Sequence, residues 1–161
     1  MVVVTMGTAF AVGGAALALA GTGIATAIGV GAAGVAAAGA VAEDKENFKN
    51  ALVFQALPQT QTIYGFITAL FIIMGAGLLG TATELSTEAG LVMLGAGLLV
   101  ALTGISAIFQ GQVSAAGIAA SSKNQDAFVP GIVFSGQVET PAIFGFIAAL
   151  IVLVVGLGVL G

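Results

Sequence analysis

Glu139 is the residue of this sequence that is hardest to explain as ordinary packing. It is the only ionisable group between Val129 and Gly161, and the residues around it are mostly apolar. A bare carboxylate at the depth of a bilayer costs about 2.5–3.5 kcal/mol on insertion scales, so such a group is retained where something neutralises it. A proton or a bound cation would neutralise Glu139, and either ligand indicates ion transport.

Three other polar side chains are predicted to lie at the same depth as Glu139. Counted from the nearest charged loop residue, Gln61, Gln110 and Glu139 lie equally deep in their apolar segments, to within one position. That depth corresponds to about 18–20 Å of helix. Thr60 directly precedes Gln61, so we expect all four side chains to converge if helix packing brings their faces together.

These candidate ligands offer only oxygen atoms to an ion: one carboxylate, one hydroxyl and two amide carbonyls. Hard cations prefer oxygen ligands, and Ca²⁺ usually takes more than one carboxylate. A single negative charge therefore indicates a monovalent ion, and Na⁺ suits the set. A proton needs little more than the carboxylate, which would leave Thr60, Gln61 and Gln110 superfluous. H⁺ is nevertheless the alternative ion.

Two prolines lie close to these positions and predict local disturbance of the helices. Pro58 cannot donate a hydrogen bond to the carbonyl of Phe54, and Pro141 cannot donate one to Gln137. A carbonyl that loses its helical partner in a membrane span can bind another partner, including an ion. By this reasoning Phe54 is the expected carbonyl near the site.

Composition and charge distribution predict an all-α integral membrane protein. Of the 161 residues, 59% are hydrophobic and 6% are charged, which is too few charges to cover a soluble domain. Cysteine and histidine are absent, which excludes thiolate and imidazole metal sites, and the net charge of −4 argues against nucleic acid. Transmembrane helices need about 20 apolar residues. We expect four, because residues 1–42, 50–83, 89–122 and 140–161 carry no charge and Glu139 interrupts the fourth apolar run without ending it.

The three lysines predict the orientation of the chain in the membrane. Lys45 and Lys49 lie between the first and second segments, and Lys123 lies between the third and fourth. By the positive-inside rule, loops 43–50 and 121–127 are expected to be cytoplasmic. Both termini of this multi-pass protein of the cell membrane are then expected outside.

The second half of the sequence repeats the first at a constant offset, which aligns Ala51 with Gly131. The segments 51–72 and 131–152 share nine identical positions in this alignment. The repeat predicts two duplicated helical hairpins, residues 1–80 and residues 81–161. Because Gln59 aligns with Glu139, only the second hairpin carries a carboxylate.

Small residues predict close helix packing in the first and third segments. The first segment contains two ladders of small residues spaced four apart, Gly21-Ala25-Gly29-Ala33 and Gly23-Ala27-Gly31. Such faces let helix backbones approach closely. We expect the first and third helices to form the inside of a ring, with the bulkier second and fourth helices outside.

Three segments carry a resemblance to a known family. Residues 57–66 read Leu-Pro-Gln-Thr-Gln-Thr-Ile-Tyr-Gly-Phe, residues 110–117 read Gln-Gly-Gln-Val-Ser-Ala-Ala-Gly, and residues 138–140 read Val-Glu-Thr. Together they resemble the proteolipid subunit, called K or c, of V-type and archaeal A-type rotary ATPases in its duplicated four-helix form. Residues 57–66 resemble the sodium-translocating members in particular.

The resemblance implies a mechanism and a set of site residues. It implies that Na⁺ is held by the residues Thr60, Gln61, Gln110 and Glu139 and the main-chain carbonyl of Leu57, and that Tyr64 hydrogen-bonds the carboxylate. It implies a homo-oligomeric ring in lipid that rotates past a stator subunit, whose arginine displaces the ion. Central-stalk subunits would couple that rotation to ATP hydrolysis or synthesis, so the chain by itself is not expected to be an enzyme and has no catalytic residues.

Two other functional classes are consistent with four apolar helices and one buried carboxylate. A small-molecule transporter would need a substrate cavity, and the sequence offers no broken-helix pair beyond Pro58 and Pro141. An uncoupled pore oligomer would not need Glu139 to carry its ion, so Glu139→Gln should leave such a pore open. The sodium rotor is preferred to both, and a proton rotor is its nearest alternative.

Overall fold

The computed structural model describes residues 5–80 and 84–156. Within these ranges the chain forms helices and short turns, and no strand occurs. The α-helices are α1 Met6–Glu43, α2 Phe48–Ala56, α3 Thr60–Gly75, α4 Thr87–Thr103, α5 Ser106–Lys123, α6 Phe128–Gln137 and α7 Thr140–Gly156.

The helices join end to end into four long rods, which we number as spans 1 to 4. They are Met6–Glu43, Lys45–Gly75, Thr87–Lys123 and Gln125–Gly156. Each span is long and apolar enough to cross a membrane. The prediction of an all-α chain with four apolar helices is therefore confirmed.

Spans 2, 3 and 4 are each interrupted once along their length. Span 2 tightens into a 3₁₀ turn at Leu57–Gln59, which contains its proline. Span 3 breaks at residues 104–105, and span 4 breaks at residues 138–139, shortly before its proline. Because Pro lacks an N–H, it cannot continue the α-helical ladder, and the breaks in spans 2 and 4 fall where the sequence predicted disturbance.

The hairpin turns are shorter than the loops 43–50 and 121–127 expected from the sequence. Asp44 and Asn124 are the only residues outside helical turns at the two reversals, and both have extended backbone. Each side chain accepts a hydrogen bond from the backbone N–H two residues later, at 3.0 and 3.1 Å. One capping residue is therefore enough to reverse the chain.

The two hairpin turns lie side by side at one end of the bundle. Asn50 Nδ2 donates a 2.7 Å hydrogen bond to Gln125 Oε1 and so joins them. At the opposite end Thr5 Oγ1 donates a 2.9 Å hydrogen bond to the carbonyl of Leu85. The three lysines therefore share one end of the molecule.

Span 1 packs backbone to backbone against span 3 through glycine. At three levels a Cβ atom on one glycine would collide with the backbone of the opposite glycine; the pairs are Gly7 with Gly90, Gly14 with Gly97, and Gly29 with Gly111. The ladder Gly21-Ala25-Gly29-Ala33 faces this contact. The ladder Gly23-Ala27-Gly31 does not, since Gly23 and Gly31 meet open space within the described residues.

Two apolar clusters lie above and below the level at which spans 2 and 4 break. The cluster toward the Thr5 end is the larger and includes Ile72, Met93 and Leu153. The cluster toward the hairpin turns centres on Phe54, which is fully buried and packs against Ile118. The predicted polar residues lie between these two clusters.

Candidate ion-binding site

Glu139 lies in the break of span 4, where its side chain is half-buried. Its carbonyl accepts hydrogen bonds from the N–H groups of Ala142 and Ile143, at 2.9 and 3.2 Å, so helix α7 starts from this residue. Its carboxylate accepts a 2.6 Å hydrogen bond from the hydroxyl of Tyr64 on span 2. Phe146 holds the Tyr64 ring by stacking, with centroids 5.1 Å apart. The carboxylate is therefore held in place by a residue of the other hairpin.

Gln61 and Gln110 form a fully buried amide pair between spans 2 and 3. Gln61 Nε2 donates a 2.7 Å hydrogen bond to Gln110 Oε1 and makes a longer contact of 3.5 Å with Ser106 Oγ. The sequence predicted one common depth for these two side chains, and in the structure they are in direct contact.

Thr60 places a third neutral oxygen beside the amide pair. Its hydroxyl lies 3.2 Å from the carbonyl oxygen of Leu57 and 3.2 Å from Gln61 Oε1. Thr60 precedes Tyr64 by four residues in α3, so the two side chains share one face of that helix. Thr60 therefore lies near both the amide pair and the residue that holds Glu139.

The carbonyl that Pro58 was expected to release is not free, so that inference from the sequence is wrong. The carbonyl of Phe54 accepts a hydrogen bond from the N–H of Leu57, because the chain tightens into a 3₁₀ turn around the proline. In the same turn the carbonyl of Leu57 accepts hydrogen bonds from both the N–H and the hydroxyl of Thr60. Leu57, which rested on resemblance alone, is the residue whose carbonyl lies at the polar cluster.

Two buried serines support the site and were missed by the reasoning from sequence. Ser114 Oγ and Ser135 Oγ lie 2.8 Å apart, and Ser135 Oγ also donates to the carbonyl of Gln110 at 3.4 Å. Ser114 follows Gln110 by four residues, and Ser135 precedes Glu139 by four. That helical spacing was the available signal, because residues four apart share a helical face.

The donor set fits a hard, singly charged cation. It offers one carboxylate and otherwise neutral oxygens, and hard cations prefer oxygen ligands. Gln110 Oε1 has a second lone pair for an ion besides the one that accepts from Gln61.

Few charged groups are available to bind a metal ion. Nowhere in residues 5–80 and 84–156 do three acidic, histidine or cysteine side chains gather into a metal site. Gln110 Nε2 is buried and has no hydrogen-bond partner in the part of the chain that the structure describes. A carboxylate oxygen is the natural acceptor for such a donor, and Glu139 on the neighbouring span is the carboxylate of this site.

Comparison with known proteins assigns the family. The model of the family described as the C subunit of ATP synthase matches the chain twice, over residues 13–72 and 94–152. The chain is 41% identical over 141 residues to the A-type ATP synthase subunit K of Methanocaldococcus jannaschii, a match that covers 88% of this chain and 60% of that protein.

A bacterial relative matches over most of both chains. The V-type sodium ATPase subunit K of Enterococcus hirae is 41% identical over 146 residues, which is 90% of each protein. The two family matches fall one in each half of the chain, as the repeat requires. This chain therefore belongs to the family of the C subunit of ATP synthase and is a multi-pass membrane protein of that family.

Proposed function

We propose that this chain is the rotor subunit of a V/A-type ATPase or ATP synthase and that it carries Na⁺ on Glu139. The supporting observation is a cluster of neutral oxygens, from Leu57, Thr60 and Gln61, beside the single carboxylate that Tyr64 holds. A proton carrier has no use for that cluster. The enterococcal relative, which is a sodium ATPase subunit, supports the same ion.

Each site residue has a defined role in this proposal. The carbonyl of Leu57, the hydroxyl of Thr60 and the amide oxygens of Gln61 and Gln110 bind the ion together with one oxygen of Glu139. Tyr64 donates to the carboxylate. Gln110 Nε2, which has no partner among the described residues, donates to it as well once the ion is bound. These donors fix the carboxylate so that its negative charge faces the ion.

The ion neutralises Glu139, and that neutrality allows the site to travel through lipid. Many copies of the chain form a ring, and each loaded site crosses the lipid-facing part of the rotation without a net charge. An arginine of the stator subunit displaces the ion at the end of that path. Each ion that crosses the membrane exchanges about 2.3 kcal/mol per 100 mV with the membrane potential.

The chain contributes transport and torque rather than ATP chemistry. Central-stalk subunits connect the ring to the partner subunits that hydrolyse or synthesise ATP, and the hairpin-turn end of the bundle meets the stalk. Because all three lysines lie at that end, it faces the cytoplasm and the termini lie outside. Each chain carries one ion in four helices.

The proposal is tested by labelling Glu139 with a hydrophobic carbodiimide, which reacts with the protonated carboxyl group. Millimolar Na⁺ should slow labelling of the purified protein, whereas K⁺ at equal ionic strength should not. Glu139→Gln should remove labelling altogether.

Other outcomes of the same experiments decide between the alternatives. Labelling that depends on pH but not on Na⁺ would replace the sodium rotor by a proton rotor. Ion flux through reconstituted Glu139→Gln protein, without ATP-driving subunits, would indicate the uncoupled pore. Saturable uptake of an organic solute would indicate the small-molecule transporter.

A further inference from the structure

Two aromatic contacts join span 2 to span 4 inside the chain. The ring of Tyr64 stacks on Phe146, with centroids 5.1 Å apart and planes at 17°. The ring of Phe54 meets Phe128 edge-on, with centroids 5.6 Å apart and planes at 84°. In both contacts an aromatic residue of the first half of the chain packs against one of the second half.

The repeat places an aromatic residue 80 positions from each of these four residues. Tyr64 and Phe146 correspond to Phe144 and Phe66, and Phe54 and Phe128 correspond to Phe134 and Phe48. All four counterparts are exposed, whereas Phe54 is buried and the other three residues of the two contacts are half-buried. Their exposed fractions are 67% for Phe144, 49% for Phe66, 61% for Phe134 and 56% for Phe48.

Phe66 and Phe144 cannot meet inside one chain in the way that Tyr64 and Phe146 do. Phe66 follows Tyr64 by two residues, and Phe144 precedes Phe146 by two, which turns each about 200° around its helix. Since Tyr64 and Phe146 face each other, Phe66 and Phe144 point to opposite sides of the bundle. An aromatic ring left on each side at matched height indicates a contact with another copy.

We infer that copies of this chain pack head to tail, with Phe144 stacking on Phe66 of the next copy and Phe134 meeting Phe48 of the next copy. The second half of one copy then packs against the first half of the next copy in the way that the first half packs against the second half inside each chain. One copy presents the span 4 face and its neighbour the span 2 face, which is a heterologous contact that closes into rings. The inference rests on the ring of the proposed function and specifies its interface.

This boundary is a copy of the ion site from which the ion chemistry has been removed. At the corresponding positions Gln59 replaces Glu139, Pro141 replaces Gln61 and Phe144 replaces Tyr64. The carboxylate, both amide ligands and the phenolic donor are all missing, since Val30 lies 80 positions before Gln110. The boundary keeps the aromatic packing, and the cation stays at the interface within each chain.

The groove that receives the neighbour carries further signs of an incomplete surface. It is lined by Gly23, Ala27 and Gln59 among others. Thr26 Oγ1 in the same groove is buried without a hydrogen-bond partner among the described residues. Gly23 belongs to the ladder that meets open space within one chain, and small residues of this kind allow close approach of another helix.

Disulfide trapping tests the interface, because the chain has no cysteine of its own. The double variants Phe48→Cys with Phe134→Cys and Phe66→Cys with Phe144→Cys are purified as oligomers and treated with a membrane-permeant oxidant. The geometric standard is Phe54→Cys with Phe128→Cys, the pair inside one chain that the first double variant copies. Disulfides need Cβ atoms about 3.5–4.5 Å apart, so this standard shows whether the aromatic geometry allows bonding.

We expect the standard to close within one chain without changing its mass on a denaturing gel. The two interface variants should shift the chain from monomer mass to a ladder of its multiples. Single variants should stay monomeric, whereas Phe48→Cys chains co-expressed with Phe134→Cys chains should give dimers and nothing larger. That mixture also covers the case in which a double variant fails to assemble, because each chain in it loses only one aromatic side chain.

Three results would overturn the inference, and they separate it from the proposed function. If the standard closes and the unmodified chain is oligomeric by native mass spectrometry, interface variants that stay monomeric overturn the interface alone. Cross-linked single variants would indicate a two-fold contact and also overturn it. An unmodified chain that is monomeric would overturn the ring and therefore the proposed function as well.

Discussion

The hydroxyl of Tyr64 donates a 2.6 Å hydrogen bond to Glu139 Oε1 across the boundary between the two halves of the chain. The two residues lie 75 positions apart, on spans 2 and 4. The stack between Tyr64 and Phe146 fixes the donor, so the position of the carboxylate depends on packing as well as on charge. Both halves must be folded together before the site exists.

Tyr64→Phe should weaken Na⁺ binding while preserving the fold. The repeat itself places Phe144 at the corresponding position, and the stack on Phe146 needs only the ring. Hydrogen bonds to charged groups contribute about 1.5–3 kcal/mol, which corresponds to about ten- to a hundredfold in affinity. The measurement is the Na⁺ concentration that half-protects Glu139 from carbodiimide. Phe71→Leu, an exposed change on the same helix, is the control, and an unchanged affinity in Tyr64→Phe would show that the hydroxyl has no role.

Single and double substitutions of Gln61 and Gln110 should affect the free energy of unfolding differently but abolish Na⁺ protection alike. Gln61→Met leaves Gln110 buried with no partner for either polar atom, which should lower the free energy of unfolding by about 1–3 kcal/mol. Replacing both glutamines by Met should restore much of that loss, since removing both partners leaves neither amide unsatisfied. Na⁺ protection should be lost in the single and the double variant alike. Thermal unfolding in detergent, measured beside the labelling assay, distinguishes the two effects; recovery of Na⁺ protection in the double variant would exclude the amides as ligands.

Much of the fold and several contacts of the site followed from the sequence, because helices convert residue counts into depth. Gln61 and Gln110 were given one depth by counting from loop charges, and they touch in the structure. The count works because each span rises steadily between its turn and its break. The local response to Pro58 did not follow, since a proline removes a donor without specifying whether the chain bends or tightens. Here the 3₁₀ turn satisfies Phe54 and brings the carbonyl of Leu57 to Thr60.

Gly97→Ala should be far more damaging than Gly95→Ala on the same helix. A Cβ atom on Gly97 would collide with the backbone of Gly14, whereas one on Gly95 meets no atom of the described residues within 4 Å. Alanine favours a helix over glycine by about 0.8–1.0 kcal/mol, so the second substitution should be neutral or stabilising. The yield of assembled oligomer and its melting temperature report the difference. Equal tolerance of both substitutions would contradict the close contact between spans 1 and 3.

Ser135→Ala should destabilise the protein more than the loss of one hydroxyl at the surface. It leaves the fully buried Ser114 without its 2.8 Å partner, and an unsatisfied buried group costs about 1–3 kcal/mol. Ser122→Ala, whose hydroxyl bonds only its own helix at an exposed position, should have little effect. A melting temperature that falls for Ser135→Ala and recovers when Ser114→Ala is added would establish the pair. Identical melting temperatures for Ser135→Ala and Ser122→Ala would contradict it.

The most direct test of the sodium site is the amount of Na⁺ that the assembled protein binds. Equilibrium binding of radioactive Na⁺ to the purified oligomer should saturate at one ion per chain, and Glu139→Gln should abolish it. Excess K⁺ should not displace the bound ion, whereas acid should, because a proton competes for the same carboxylate. No saturable Na⁺ binding by an intact oligomer whose Glu139 still reacts with carbodiimide would contradict the sodium site.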